Sequence, residues 1–144
     1  ASLTTPVTNL FPSAIPYFTG SVYSQLQGMH PNAPFLFTWN GFGPAPGITS
    51  PLTFFSIFRA SDGQVAFGVS GNQLLTSSLI PANTLLGGTE YVASLVYDAR
   101  VVQTNAGFAG ATSEVAYDFS TRIEFTTAVP EAGTLFTGSL RRRR

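Results

Sequence analysis

Alternating apolar and polar residues run through most of this chain, and Pro or Gly cuts the pattern about every ten to fifteen positions. Phe35, Phe37 and Trp39 alternate with Leu36, Thr38 and Asn40, the period-two signature of a strand. Residues 52–59 and 64–69 flank Ala60-Ser61-Asp62-Gly63, and Asp-Gly between two apolar runs predicts a hairpin, because Gly accepts the positive φ of the turn. Residues 73–80 read as a short strand ended by Pro81. Residues 90–104 and 114–127 are long, β-branched and aromatic, and the Gly/Ala-rich stretch 105–112 between them predicts a second hairpin. Ahead of Phe35, residues 17–24 read as an edge strand, and His30-Pro31-Asn32-Ala33-Pro34 as a loop. No segment carries the 3.6-residue period of an amphipathic helix.

This pattern predicts an all-β fold, a single antiparallel β-sandwich of about seven strands. An extended segment over 1–16, interrupted by Pro6, Pro12 and Pro16, precedes a sandwich over 17–128, and a disordered tail is expected over 129–144. Tyr91, Ala93, Leu95 and Tyr97 fall on one face of their strand, with Ser94 and Asp98 on the other. Ile123 and Phe125 likewise oppose Arg122 and Glu124. The predicted core is Phe35, Phe37, Trp39, Tyr91, Leu95, Ile123 and Phe125.

Composition makes that core aromatic: thirteen Phe stand against one Met and one Trp. Net charge is zero, but all seven basic residues are Arg, and four of them form the terminal run Arg141 to Arg144. Without that run, three Arg face seven acids and leave the body at about −4, which argues against nucleic-acid binding. The absence of Cys excludes disulfides, thiolate metal sites and cysteine nucleophiles. Ala1 fits the mature end left by removal of an export signal.

Leu85-Leu86-Gly87-Gly88-Thr89-Glu90-Tyr91, followed by Ala93 and Leu95, resembles the E–F corner of fibronectin type III-like domains, with Gly87 where that family usually has Pro. There the Tyr ring packs on the core and its hydroxyl bonds backbone at the corner. Phe125-Thr126-Thr127 resembles the end of the family's last strand, and Trp39 its inward Trp. An Ig-like or jelly-roll-like variant of the sandwich stays open beside it.

Val129-Pro130-Glu131-Ala132-Gly133-Thr134-Leu135, ending in Arg141, Arg142, Arg143 and Arg144, resembles a PEP-CTERM sorting signal. The resemblance implies export in a Gram-negative bacterium, processing by an exosortase, and placement at the cell surface or in an exopolysaccharide matrix beside other envelope proteins. Ala132 replaces the family's second Pro. Residues 134–140 would extend only about 10 Å as a helix against a hydrocarbon core of about 30 Å, so no stable membrane span is expected.

Candidate chemistry is sparse. His30 is the sole histidine, in a Pro-flanked loop, and no second His joins it, so neither metal nor cofactor is expected. Gly68-Val69-Ser70-Gly71 misses the spacing of a nucleophile elbow. Glu90, Asp98, Glu114, Asp118 and Glu124 all lie on or beside the long hairpin. A glycoside hydrolase would need two of them facing across a cleft, whereas their alternation with core residues places them on the solvent side. The expected protein is therefore a non-enzymatic, structural or adhesive one. A carbohydrate-binding module is the alternative, with Tyr17, Tyr23, Phe42 and Phe108 as sugar contacts and Trp39 and Tyr97 as further aromatic candidates. The open edge of the long hairpin also suggests self-association.

Overall fold

The computed structural model describes Phe11, residues 13–104 and residues 110–131. One short helix, α1 (Val22–Leu26), precedes six strands: β1 (Phe35–Thr38), β2 (Ser50–Arg59), β3 (Val65–Asn72), β4 (Ser77–Ile80), β5 (Glu90–Thr104) and β6 (Thr112–Thr126). All pairings are antiparallel. Strands β3-β2-β5-β6 form a four-stranded sheet, and β1-β4 form a second, two-stranded sheet. The fold is thus β-rich and antiparallel, as the alternation predicts.

Both predicted hairpins form. At the first, Gly63 takes φ 70° and the Gln64 amide donates to Asp62 Oδ1 at 3.1 Å, closing the turn between β2 and β3. The second aligns β5 with β6 over their whole length, from Glu90 opposite Thr126 to Thr104 opposite Thr112, with no register shift. Only β2 flanks β5 on the other side, and its ladder ends at Ser50 opposite Arg100. Beyond Arg100 the hairpin therefore continues as two strands alone.

The apolar faces of the two sheets meet in one aromatic core. Phe37 of β1 packs on Phe55 of β2 with ring centroids 4.7 Å apart, and Trp39 lies 5.1 Å from the same ring. Trp39 Nε1 donates to the Leu75 carbonyl at 2.7 Å, so its one polar group is satisfied inside. Each fully buried Phe of this kind contributes about 1.5–3 kcal/mol. Phe37, Trp39, Tyr91, Leu95, Ile123 and Phe125 are buried as predicted, while Phe35 is half-buried against them.

Two expectations change. Six strands replace about seven, because residues 17–24 do not form one. Phe18 makes a single bridge to Trp39, and the chain then turns into α1, which buries Val22 and Leu26 one helical turn apart. A single apolar pair at four-residue spacing is too short a signal to separate a helix from a strand. Ser94 and Asp98, predicted to face solvent, are buried on the outer side of β5. A central strand has neighbours on both flanks, and Leu52 and Asp118 stand directly beside Asp98 in register. Packing contacts are also made by residues on either side of 17–128. Pro16 is buried, Phe11 packs on Tyr117 at 5.0 Å, and Pro130 lies against the corner that precedes β5.

Candidate functional site

The corner preceding β5 is built around Tyr91, which is 1% exposed and stacked on Phe125. The Leu86 amide donates to its hydroxyl at 2.9 Å, the bond expected from the corner motif. Thr127 completes the corner from the end of β6. Its hydroxyl donates to the Leu86 carbonyl at 2.6 Å and accepts from the Thr89 amide at 3.1 Å. Further out, the Gly88 amide donates to the Ala128 carbonyl at 3.0 Å, and the Ala128 amide to the Met29 carbonyl at 2.8 Å. The segment leading into the Val-Pro-Glu sequence is therefore stitched to the body up to Ala128.

The absence of a side chain at Gly87 has a steric reason. A Cβ there would lie 2.5 Å from Pro130 Cδ and 2.7 Å from Pro130 Cγ. Pro130 thus rests on the bare backbone of the corner, where a ring at position 87 would displace it. Val129 is 74% exposed, and Pro130 and Glu131 are exposed beside it. Glu131 and Pro130 form one wall of an open groove of about 850 Å³, whose other walls include His30, Asn32, Asn83 and Leu86. The sole histidine and the acid of the Val-Pro-Glu sequence, unrelated in sequence, so border one concavity. The remaining residues assigned to the sorting signal, Ala132, Gly133, Thr134 and Arg141 to Arg144, lie outside the described residues.

The candidate sugar contacts separate. Tyr17 and Tyr23 are 56% and 63% exposed. Phe42, in contrast, is buried and stacks on Tyr97 at 4.4 Å, so its faces are covered by protein. Trp39 and Tyr97 are buried too. The Tyr97 hydroxyl donates to Asn40, and its pKa is pushed up to about 12 by burial and, secondarily, by Tyr17. Phe108 lies outside the described residues. Phe42 lies within the Gly-rich, Pro-broken stretch 40–47, and no local signal separates a loop aromatic on the surface from one that folds back onto the core.

On the outer face of the large sheet, Arg100 bridges two acids, meeting Asp98 at 2.6 Å and Glu114 at 2.8 Å. Its own pKa is raised, first by the hydrogen bond to Asp98. Asp118 stands opposite Asp98 in register, and desolvation followed by the Asp98 charge raises its pKa, against the opposing pull of Arg100. These carboxylates are neighbours on one sheet face, and Asp98 is held by a guanidinium. Among the described residues no three His, Asp or Glu side chains gather into a metal-binding group, and no helix is long and apolar enough to cross a membrane. Comparison of the chain with protein families, with curated proteins and with solved structures finds no match to any of them.

Proposed function

We propose that this is an exported, non-enzymatic protein of a Gram-negative cell surface or extracellular matrix, structural or adhesive in role, carrying a shortened PEP-CTERM-like sorting tail. The observation that carries the reading is the exit of the chain. Val129-Pro130-Glu131 follows β6 after two residues and stands exposed on the rim of the groove, where a processing enzyme can reach it. The body is read as a fibronectin type III-like or Ig-like sandwich. Its strand order supports this: β3-β2-β5-β6 facing β1-β4 corresponds to C′-C-F-G facing B-E of that architecture, and the Tyr91 corner sits before the strand equivalent to F. Exopolysaccharide and other envelope proteins are the partners implied.

The test is the intact mass and C-terminal sequence of the protein isolated from its native host. Processing within Pro130 to Thr134 supports the proposal. A tail retained through Arg144 on a protein found only in the cytoplasm overturns it.

A second reading, a carbohydrate-binding module, draws support from the exposure of Tyr17 and Tyr23. Exposed tyrosines offer ring faces to sugars, and their replacement by Ala would abolish binding to the host's purified exopolysaccharide. A flat isotherm for the unaltered protein across a glycan panel removes this reading.

A further inference from the structure

Strand β6 is an edge strand of fifteen residues that, among the described residues, pairs with β5 alone. Natural sheets usually blunt such an edge with Lys, Pro or a bulge. This one has none of the three: the chain contains no Lys, residues 112–126 contain no Pro, and the β5–β6 register runs without a shift.

The direction of its free backbone groups is fixed by two contacts. The Thr126 carbonyl accepts from the Gly28 amide, and the Glu124 carbonyl accepts from Gln27 Nε2, both on the side away from β5. Because a strand residue's N–H and C=O point the same way, alternating from one residue to the next, the even-numbered residues of β6 present theirs to the free side. From Thr112 to Arg122 these groups have no backbone partner among the described residues. The side chains of the even residues are all exposed.

Charge then selects a register for a second strand of the same sequence. In an antiparallel pair centred on Asp118, the two Asp118 carboxylates would meet. Centred on Phe119, Glu114 would oppose Glu124, and centred on Thr121, Asp118 would oppose Glu124. Centred on Ser120, each Asp118 stands opposite the other copy's Arg122, twice over, and no like charges face each other. Neither Asp118 nor Arg122 has an ion-pair partner within the chain among the described residues. On the opposite face, where Phe11 of the same chain already packs on Tyr117 and Phe119, the same register sets Tyr117 against Ile123 and Val115 against Phe125.

We infer that the protein pairs with a second copy of itself along β6, antiparallel and centred on Ser120, so that the two four-stranded sheets join into one. Gln27 and Gly28 stop the pairing at Glu124. The joint is therefore short, about six backbone hydrogen bonds with two flanking ion pairs, and it weakens as salt screens the charges.

Two experiments test this on the full chain. Ser120 would face its own copy with Cα atoms about 5.5 Å apart, within disulfide reach. As the chain has no other Cys, Ser120→Cys should give a disulfide dimer under mild oxidation, while Ala116→Cys, facing Glu124, should not. By sedimentation equilibrium, Asp118→Arg and Arg122→Asp should each raise the dimer dissociation constant at least about tenfold, since each turns both ion pairs into repulsions. Mixing the two variants should restore dimerisation, because only the mixed pair opposes unlike charges, and this recovery also shows that both variants fold. A monomeric wild type with no preferential Ser120→Cys cross-link overturns the inference. So does a dimer indifferent to both charge reversals.

Discussion

Replacing Gly87 with Ala places a methyl group where Pro130 already sits. The new Cβ would stand 2.5 Å from Pro130 Cδ and 2.7 Å from Cγ, about 1 Å inside ordinary carbon–carbon contact of about 3.5 Å. A third contact, 3.1 Å to the Ala128 carbonyl, is tight but tolerable. Gly87 lies outside the left-handed region, so backbone strain adds nothing to the steric conflict. Relief requires either a shift of the corner, which strains the Gly88–Ala128 and Thr89–Thr127 bonds, or ejection of Pro130 from its seat. Overpacking of this kind costs about 1–3 kcal/mol. Pro130→Ala removes Cγ and Cδ, the two atoms in conflict. In that background Gly87→Ala should be near neutral, since the narrower unfolded ensemble of Ala offsets the residual contact by about 0.4–1 kcal/mol. A double-mutant cycle by urea unfolding should therefore give a coupling of at least about 1 kcal/mol. Limited proteolysis should cut Gly87→Ala faster than wild type between Val129 and Glu131. Additive free energies, within about 0.3–0.5 kcal/mol, would refute the account of Gly87 as the seat of Pro130.

Tyr91→Phe leaves the Leu86 amide without its acceptor and should destabilise the fold by about 1–3 kcal/mol in urea unfolding. A change below about 0.5 kcal/mol would show that the corner hydroxyl is replaced by water. Thr53→Val should raise stability by about 1 kcal/mol, because Thr53 Oγ1 is fully buried with no partner among the described residues and Val keeps its shape. A lower melting temperature would reveal an unseen partner. Tyr97 holds its proton more tightly folded than unfolded, with a pKa of about 12 against an ordinary 10. Its contribution is complete below pH about 10 and falls as pH rises toward 12, because the unfolded chain loses the proton first. Tyr97→Phe should therefore flatten the decline of stability with pH in that window, and equal slopes in wild type and variant would contradict the burial argument.

How much of this was legible in the sequence differs by element. The long hairpin is legible to within two residues, because β6 alternates along its fifteen positions and both strands are rich in aromatic and β-branched residues. The corner was legible for the same kind of reason, since Tyr91 carries a local motif and a local job. The role of Thr127 has only a weak local signal, a Thr ending a strand beside apolar Phe125, which can turn inward and bond the neighbouring corner. The helix α1 was hidden because its stabilising contacts are tertiary. A five-residue helix has no intrinsic stability, and its Val22 and Leu26 gain theirs only from the core they enter. Asp98 was misplaced because alternation reports the face of a strand, while burial also depends on what stands to either side. The groove containing His30 and Glu131 joins residues a hundred positions apart, and no periodicity encodes such a meeting.

The bonds at Thr127 and Ala128 set a lower limit on how short a trimmed form of this protein can be. A cut after Glu131 keeps every corner bond described above. A cut after Thr126 would take away the hydroxyl that engages Leu86 and Thr89, together with the amide that holds Met29, and would leave the Tyr91 corner open to water. The fold thus distinguishes two proteolytic products only five residues apart in length. The longer keeps the corner bonded, and the shorter is expected to be degraded faster.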